Sequence, residues 1–482
     1  MMTEFGEWLP DQPSLDNPGC TVAKNCLPLG RGYKPFLSAS SQSATLTGRC
    51  LGAYTCVDLD GNPFNFAGDA AKLYKLDSTV ANDYSGSTYT TGADEFWEFA
   101  KFGEQVVATN YNDAVQVITL GGSTFADLGG SPPKAHHVGV IRDFLVLGNV
   151  YDSGGTVSNR LVWSDKGDAT NWSVGGSSQA DSVDLVGDAG PIQKIVGGEF
   201  GIIFQKKQIW RMTYVGAPYF FQLDPVELNK GAMVPGGVVK VGQTIFYLDT
   251  DGFYSFSGVS TPIGTEKVNK WFFDNLDYAN KSRITSAVDP KHPIVYWSFP
   301  STAASSGTPD TIIAFNWATQ RWSYISVTHE MICQLATPGY TLEELDAFGT
   351  METLAYSLDA DYWKNGKINL SCFNTSHVWQ MFTGSAMTAV LQTKELRLAD
   401  GMKASIVKLR TGVDGGTTTV RVGERNDLSA SISYGSSLSA TTTSKCYRPR
   451  STARYHVIEA TISGGFTDAF GIDIEAAPRG RR

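Results

Sequence analysis

Apolar, β-branched and aromatic runs alternate with short polar or glycine-bearing turns through the first four-fifths of the chain. Seven times, such a run is answered by a second across a turn. The pairs are Tyr54 to Phe66 (turning at Asp60-Gly61), Val106 to Ile118 (Tyr111-Asn112), Phe144 to Trp163 (Gly154-Gly155) and Gly201 to Met212 (Lys206-Lys207). Ile245 to Phe256 (Asp251-Gly252), Ile294 to Phe315 across a Ser/Gly loop, and Cys372 to Phe382 (Thr375-Ser376) follow. Alternation such as Ile245 and Tyr247 suits a pleated strand, and Asp-Gly favours a tight hairpin turn. A lone hairpin cannot bury its own apolar face. Turns recurring at roughly 43 to 70 residues therefore predict stacked blades, as in a β-propeller. Six or seven blades fit, depending on whether the first and last strands close one blade together.

The repeat sets the boundaries. Residues 1–45 carry Pro10, Pro13, Pro18, Pro28 and Pro35 with little periodicity, which predicts an extended, Pro-rich arm packed along another surface. Residues 46–385 hold the propeller. Its interruptions are the loops Ser301 to Asp310 and Tyr340 to Ala347, and its helical signal is confined to Lys267 to Tyr278 and Thr341 to Ala347. In residues 386–482 the aromatic pairs disappear, and MTAVLQTKELRL, KASIVKLRTGV, TTTVRVGERN, LSASISYG and RYHVIEATIS read as five strands. They predict a separate antiparallel β-sandwich or small barrel. The fold class is thus all-β: arm, propeller, sandwich.

Composition changes the picture in three ways. Apolar content of 42% against 18% charged residues, with 25 Phe, 20 Tyr and 11 Trp, excludes a disordered chain. No run reaches the 18 or more apolar residues of a membrane helix, and MMTEFGEWLPDQP lacks a basic start and apolar segment; a soluble protein made in a cytoplasm, without membrane insertion, is expected. Charge is uneven: residues 387–482 hold 14 Lys and Arg against 9 Asp and Glu, a net +5, which leaves −14 of the total −9 for the first 386. The basic residues cluster at Arg448, Arg450 and Arg454, and at Arg479, Arg481 and Arg482. The first three are candidate assembly contacts, since a basic end on an acidic body suits an acidic partner; a solvated face is the plainer reading.

A search for chemistry finds no catalytic, cofactor-binding or metal-binding set. The P-loop, HExxH, strand-linked GxGxxG and GxSxG patterns are missing. His136 and His137 are sequence neighbours, which on a strand point to opposite faces and do not readily share a metal. Asp58, Asp60 and Asn62, and Asp249 with Asp251, begin like calcium loops but lack the distal bidentate Glu, so hairpin turns explain them better. Cys20 with Cys26 and Cys50 with Cys56 share a six-residue offset, which leaves paired cysteines open beside the simpler reading of buried small hydrophobes. Trp163-Ser164-Asp165-Lys166-Gly167-Asp168, then Thr170 and Trp172, is similar to the Asp-box turn of sialidase-type propellers, itself a folding element. It raises the alternative of a glycan-binding or glycoside-hydrolysing propeller acting in host adsorption, though a glycosidase also needs paired acids that nothing in the sequence places.

The opening Trp8 to Pro13, then Ala23 to Pro28 and Gly30 to Tyr33, resembles the start of tail hub or nozzle proteins of short-tailed bacteriophages, the packaged-DNA stabilisation group. RLVWSDKGDATNW (Arg160 to Trp172), IIFQKKQIWRM (Ile202 to Met212), FYLDTDGFYSFSG (Phe246 to Gly258) and TIIAFNWATQRWSYI (Thr311 to Ile325) look like that family's blades. RYHVIEATISGG (Arg454 to Gly465) and the final Gly480-Arg481-Arg482 look like its ending. The resemblance spans nearly the whole chain on soft motifs. It implies a non-enzymatic virion protein, assembled in the bacterial host cytoplasm as a homo-hexameric ring below the portal. Its implied partners are further copies of itself, the head-to-tail adaptor protein, and tail fibre or spike proteins. Viral double-stranded DNA would pass through the lumen without sequence-specific binding.

Overall fold

The structure, a computed structural model, describes residues 1–77, 80–152, 154–337, 350, 352, 366–441 and 445–480. The helix expected at Thr341 to Ala347, the loop at Tyr340 to Ala347, and Arg481 and Arg482 lie outside the described residues. All seven expected hairpins are present. Tyr54 faces Phe66, Val106 faces Ile118, Gly201 faces Met212 and Ile245 faces Phe256. Phe315 faces Val295, and Cys372 faces Gln380. In the third hairpin Trp163 faces Val146, because the strands slip past each other between Gly148 and Val150.

Each hairpin is the nucleus of a four-stranded blade. Blades one to five span residues 52–83, 98–127, 134–184, 192–228 and 238–262; blade six spans 285–326. Blade seven takes three strands from 331–381 and its outermost strand, Ser40–Thr45, from the start of the chain. Among the described residues six blades are free-standing sheets, whereas blade six continues into the larger C-terminal sheet. Blade faces are two-sided and apolar, so each must be covered by a neighbour. Tyr74 and Leu76 of blade one meet Leu335 and Trp379 of blade seven, and Phe66 meets Val106 of blade two. Ile203 and Trp210 of blade four likewise meet Phe144 and Val146 of blade three. The short helix Asn269–Asn275 falls in the window 267–278 that read as helical.

At the C-terminal end the five expected strands resolve differently. KASIVKLRTGV and TTTVRVGERN are parts of one 22-residue strand, Ala404–Arg425, paired with the 24-residue Tyr455–Pro478 from Ala404↔Pro478 to Arg425↔Tyr455. LSASISYG contributes only Ser433–Tyr434. Gly415 (φ 87°) and Gly416 (φ 67°), between the two segments read as separate strands, sit in a chain of register shifts opposite Gly464 (φ 78°). Left-handed glycines there let paired strands bend without parting. The two halves of the bent ribbon share one core: Ile406, Leu409 and Ile472 from one, Val420, Val422 and Ile458 from the other.

The N-terminal arm is extended, and the surface it packs along is this chain's own. Cys20–Lys24 lies between blade six and Ala389–Thr393, while Met2–Glu4 adds to the ribbon. Phe5, Trp8 and Tyr33 are fully buried in the core shared with Trp297, Trp322 and Ile458. The arm thus welds the propeller to the C-terminal sheet.

Candidate functional site

The first strand of every blade runs along the propeller axis, and together they enclose a cavity of about 630 Å³. Tyr54, Glu98, His137, Lys194, Val238, Thr285 and Cys333 line it, one from each blade in order. Most of this wall is apolar. Its charged core is Glu98, whose side chain is 11% exposed. Oε2 of Glu98 lies 2.9 Å from His137 Nδ1 and accepts the Val138 N–H at 3.2 Å, while Oε1 accepts from Lys194 Nζ. One carboxylate thereby ties blades two, three and four. Burial pushes its pKa up, but Lys194 and then His137 outweigh that and hold it at about 2. Next to it, His136 stacks on Tyr111 with ring centroids 3.8 Å apart. Burial, and then the neighbouring His137, lower the His136 pKa to about 4, so it is a neutral imidazole at pH 7. At one mouth of the channel Ser282 Oγ donates to Asp94 at 3.0 Å, joining the approach to blade six to that of blade two.

A second buried carboxylate sits where the ring closes. Glu330 opens blade seven, accepts the Cys50 N–H at the threshold of blade one at 2.9 Å, and lies 2.5 Å from His377 Nδ1. Burial raises its pKa, offset in part by the Cys50 amide and His377. Glu98 and Glu330 are therefore consumed by ties between blades.

The other sequence candidates resolve into turns and core. Asp165 joins the third and fourth strands of blade three: Oδ1 accepts from the backbone N–H of Lys166 and of Gln179, each at 2.8 Å, and Oδ2 from Asn171 Nδ2 at 3.0 Å. That is the bonding of a turn organiser. Asp58 accepts both the backbone and side-chain N–H of Asn62, and Asp251 pairs with Lys230 at 2.6 Å. Among the described residues no group of three or more His, Cys, Asp or Glu is placed to hold a metal. All seven cysteines are free thiols. Cys20, Cys26 and Cys50 are buried, and burial pushes Cys20 up to about 12.

Arg448, Arg450 and Arg454 are all exposed, in the connection that leads into Tyr455–Pro478. Tyr447 and Pro449 turn inward between them, so Arg448 and Arg450 project on the same outer side of an extended stretch. Arg454 lies near enough to Asp427 to lower its pKa, behind the stronger effect of the Ser429 N–H and hydroxyl. Sequence reasoning missed Glu98, Lys194 and Glu330. No motif links them, because they come together only when the blades close.

Fold and channel define the class: an all-β propeller fused through its sixth blade to a C-terminal sheet. No protein-family model and no curated protein matches the sequence. Among solved structures, the chain is similar to the extracellular domain of a putative one-component system from B. thetaiotaomicron (9% identity, TM-score 0.41), covering 84% of this chain and 47% of that one. It is also similar to the computationally designed Ika8 protein (10% identity, TM-score 0.37), covering 71% of this chain and 99% of that one. The chain thus spans about half the length of the first.

Proposed function

We propose that this chain is a structural subunit of a short-tailed phage tail, a nozzle or hub that assembles as a homo-hexameric ring below the portal and its adaptor. In this role it retains packaged DNA and anchors fibres or spikes. The observation that carries the reading is charge carried on one welded body: exposed Arg448 and Arg450 on the C-terminal part, net +5, joined to a propeller-bearing part of net −14. Unlike charge on different parts of one body favours the head-to-tail contacts that close into rings.

The DNA path must lie between copies. One turn of duplex, about 34 Å long and at least ~16 Å across from its groove depths, fills several thousand Å³. The propeller's own channel holds about 630 Å³. A lumen walled by the acidic propellers repels phosphate and lets the duplex slide, where a basic wall traps it through counterion release. Electron microscopy of the purified chain and of particles carrying it tests the proposal. A sixfold ring at one capsid vertex is the expected result. A monomer away from the tail axis, or a ring with a net positive lumen, overturns it.

A further inference from the structure

We propose that two half-buried guanidinium groups beside the channel mouth, those of Arg49 and Arg283, bind a small phosphate-bearing anion. This does not rest on the tail reading.

The two arginines reach one place from different parts of the ring. Arg49 stands at the threshold of blade one, next to Cys50, and its Nη1 donates to the Ala93 carbonyl at 3.1 Å. Arg283 ends the 3-10 turn Tyr278–Arg283 that leads into blade six, and its Nη1 donates to the Ser306 carbonyl at 2.8 Å. The 3.0 Å hydrogen bond from Ser282 to Asp94 draws these segments together, and both of its residues line the channel. Each guanidinium is thus held by a neutral carbonyl, and among the described residues neither has a carboxylate within ion-pair distance. Arg283 Nε is sealed from solvent without a partner, whereas Arg283 Nη2 and both Nε and Nη2 of Arg49 are unbonded and open to it.

Like charges brought together out of bulk water destabilise each other. Burial, and next the charge of Arg283, lower the Arg49 pKa, against smaller opposing effects of Glu330, Cys50 and Asp94. Those two acids already have donors of their own: Glu330 accepts the Cys50 N–H and meets His377, and Asp94 accepts from Ser282. Lys281, two residues before Arg283, adds another cation without an ion-pair partner. The open N–H groups belong to two planar forks, each suited to two oxygens of one anion. A phosphate group carries enough oxygens and charge for both forks, whereas a monocarboxylate satisfies one.

The test titrates the full chain calorimetrically with inorganic phosphate, glycerol 2-phosphate and acetate, in about 0.1 M salt to screen exposed charges lying beyond ~10 Å. At least one phosphate probe should saturate a single site per chain, with acetate about tenfold weaker or more. Arg49→Lys and Arg283→Lys keep the charge but lose the fork, and each should weaken phosphate binding about tenfold. Lys206→Gln, which removes an unpaired channel lysine on blade four, should leave the affinity unchanged. The Arg49 Nε–H resonance of the unaltered protein should shift on saturation, a readout independent of how the variants fold. No saturable binding of either phosphate probe, acetate binding as tightly, affinity unchanged in both arginine variants, or an unmoved resonance would overturn the site. A loss in Lys206→Gln equal to that in the arginine variants would overturn it too, by placing the anion inside the channel.

Discussion

Replacing Glu98 with Gln tests whether the channel triad holds three blades together by charge. The folded pKa of about 2 lies roughly two units below an ordinary Glu, and at 1.36 kcal/mol per unit this corresponds to about 3 kcal/mol. Because the folded pKa is depressed, the unfolded chain takes up the proton first as pH falls. The contribution is therefore complete above about pH 4.3 and is lost progressively towards pH 2. Glu98→Gln keeps the shape and removes the charge, and Lys194, 29% exposed, retains some access to water. At pH 7 the variant should be less stable by about 2–3 kcal/mol, less than a fully buried broken pair costs. Urea midpoints followed by tryptophan fluorescence, for both proteins at pH 7 and near pH 2.5, measure this. The difference should shrink to below ~1 kcal/mol at the acidic end. An equal difference at both pH values would refute the charge argument and reduce Glu98 to packing.

Trp8→Ala should cost about 3–5 kcal/mol and split a single unfolding transition into two, because Trp8 is fully buried between blade six and the C-terminal core; differential scanning calorimetry checks both. Glu330→Ala leaves the buried Cys50 N–H without its acceptor and should cost about 1–3 kcal/mol, read from the urea midpoint. Arg448→Glu, Arg450→Glu and Arg454→Glu together should leave the melting temperature nearly unchanged yet abolish ring formation in electron micrographs; intact rings would return these arginines to a solvated face. A fluorogenic glycoside panel should show no turnover, and measurable hydrolysis would favour the glycosidase alternative over a tail role.

Much of the propeller was legible because a blade's central hairpin is local. Ile245 and Phe256 are close in sequence, and Asp251-Gly252 announces the turn between them. What was illegible depends on distant partners. Nothing in Ala404–Arg425 says that its strand continues through Gly415 and Gly416, because the signal for a turn and for a bulge is the same pair of residues. Which surface the arm packs along was illegible, because its prolines hide the apolar pattern and Phe5, Trp8 and Tyr33 find their partners far along the chain. Glu98 and Lys194 are 96 positions apart, and only the stacking of three blades makes them neighbours. The exposed arginines were legible as a cluster, because all three lie within seven residues of one another.

The strand that closes blade seven also sets a timetable for biosynthesis. Ser40–Thr45 leaves the ribosome before blade one, but its partner Val378–Met381 comes last in the propeller. At ~5–20 residues per second the first strand waits tens of seconds. An apolar edge left open that long would recruit other nascent chains. The segment is SSQSAT, a polar sequence with little to offer a stranger, so the ring can stay open until its own last blade arrives.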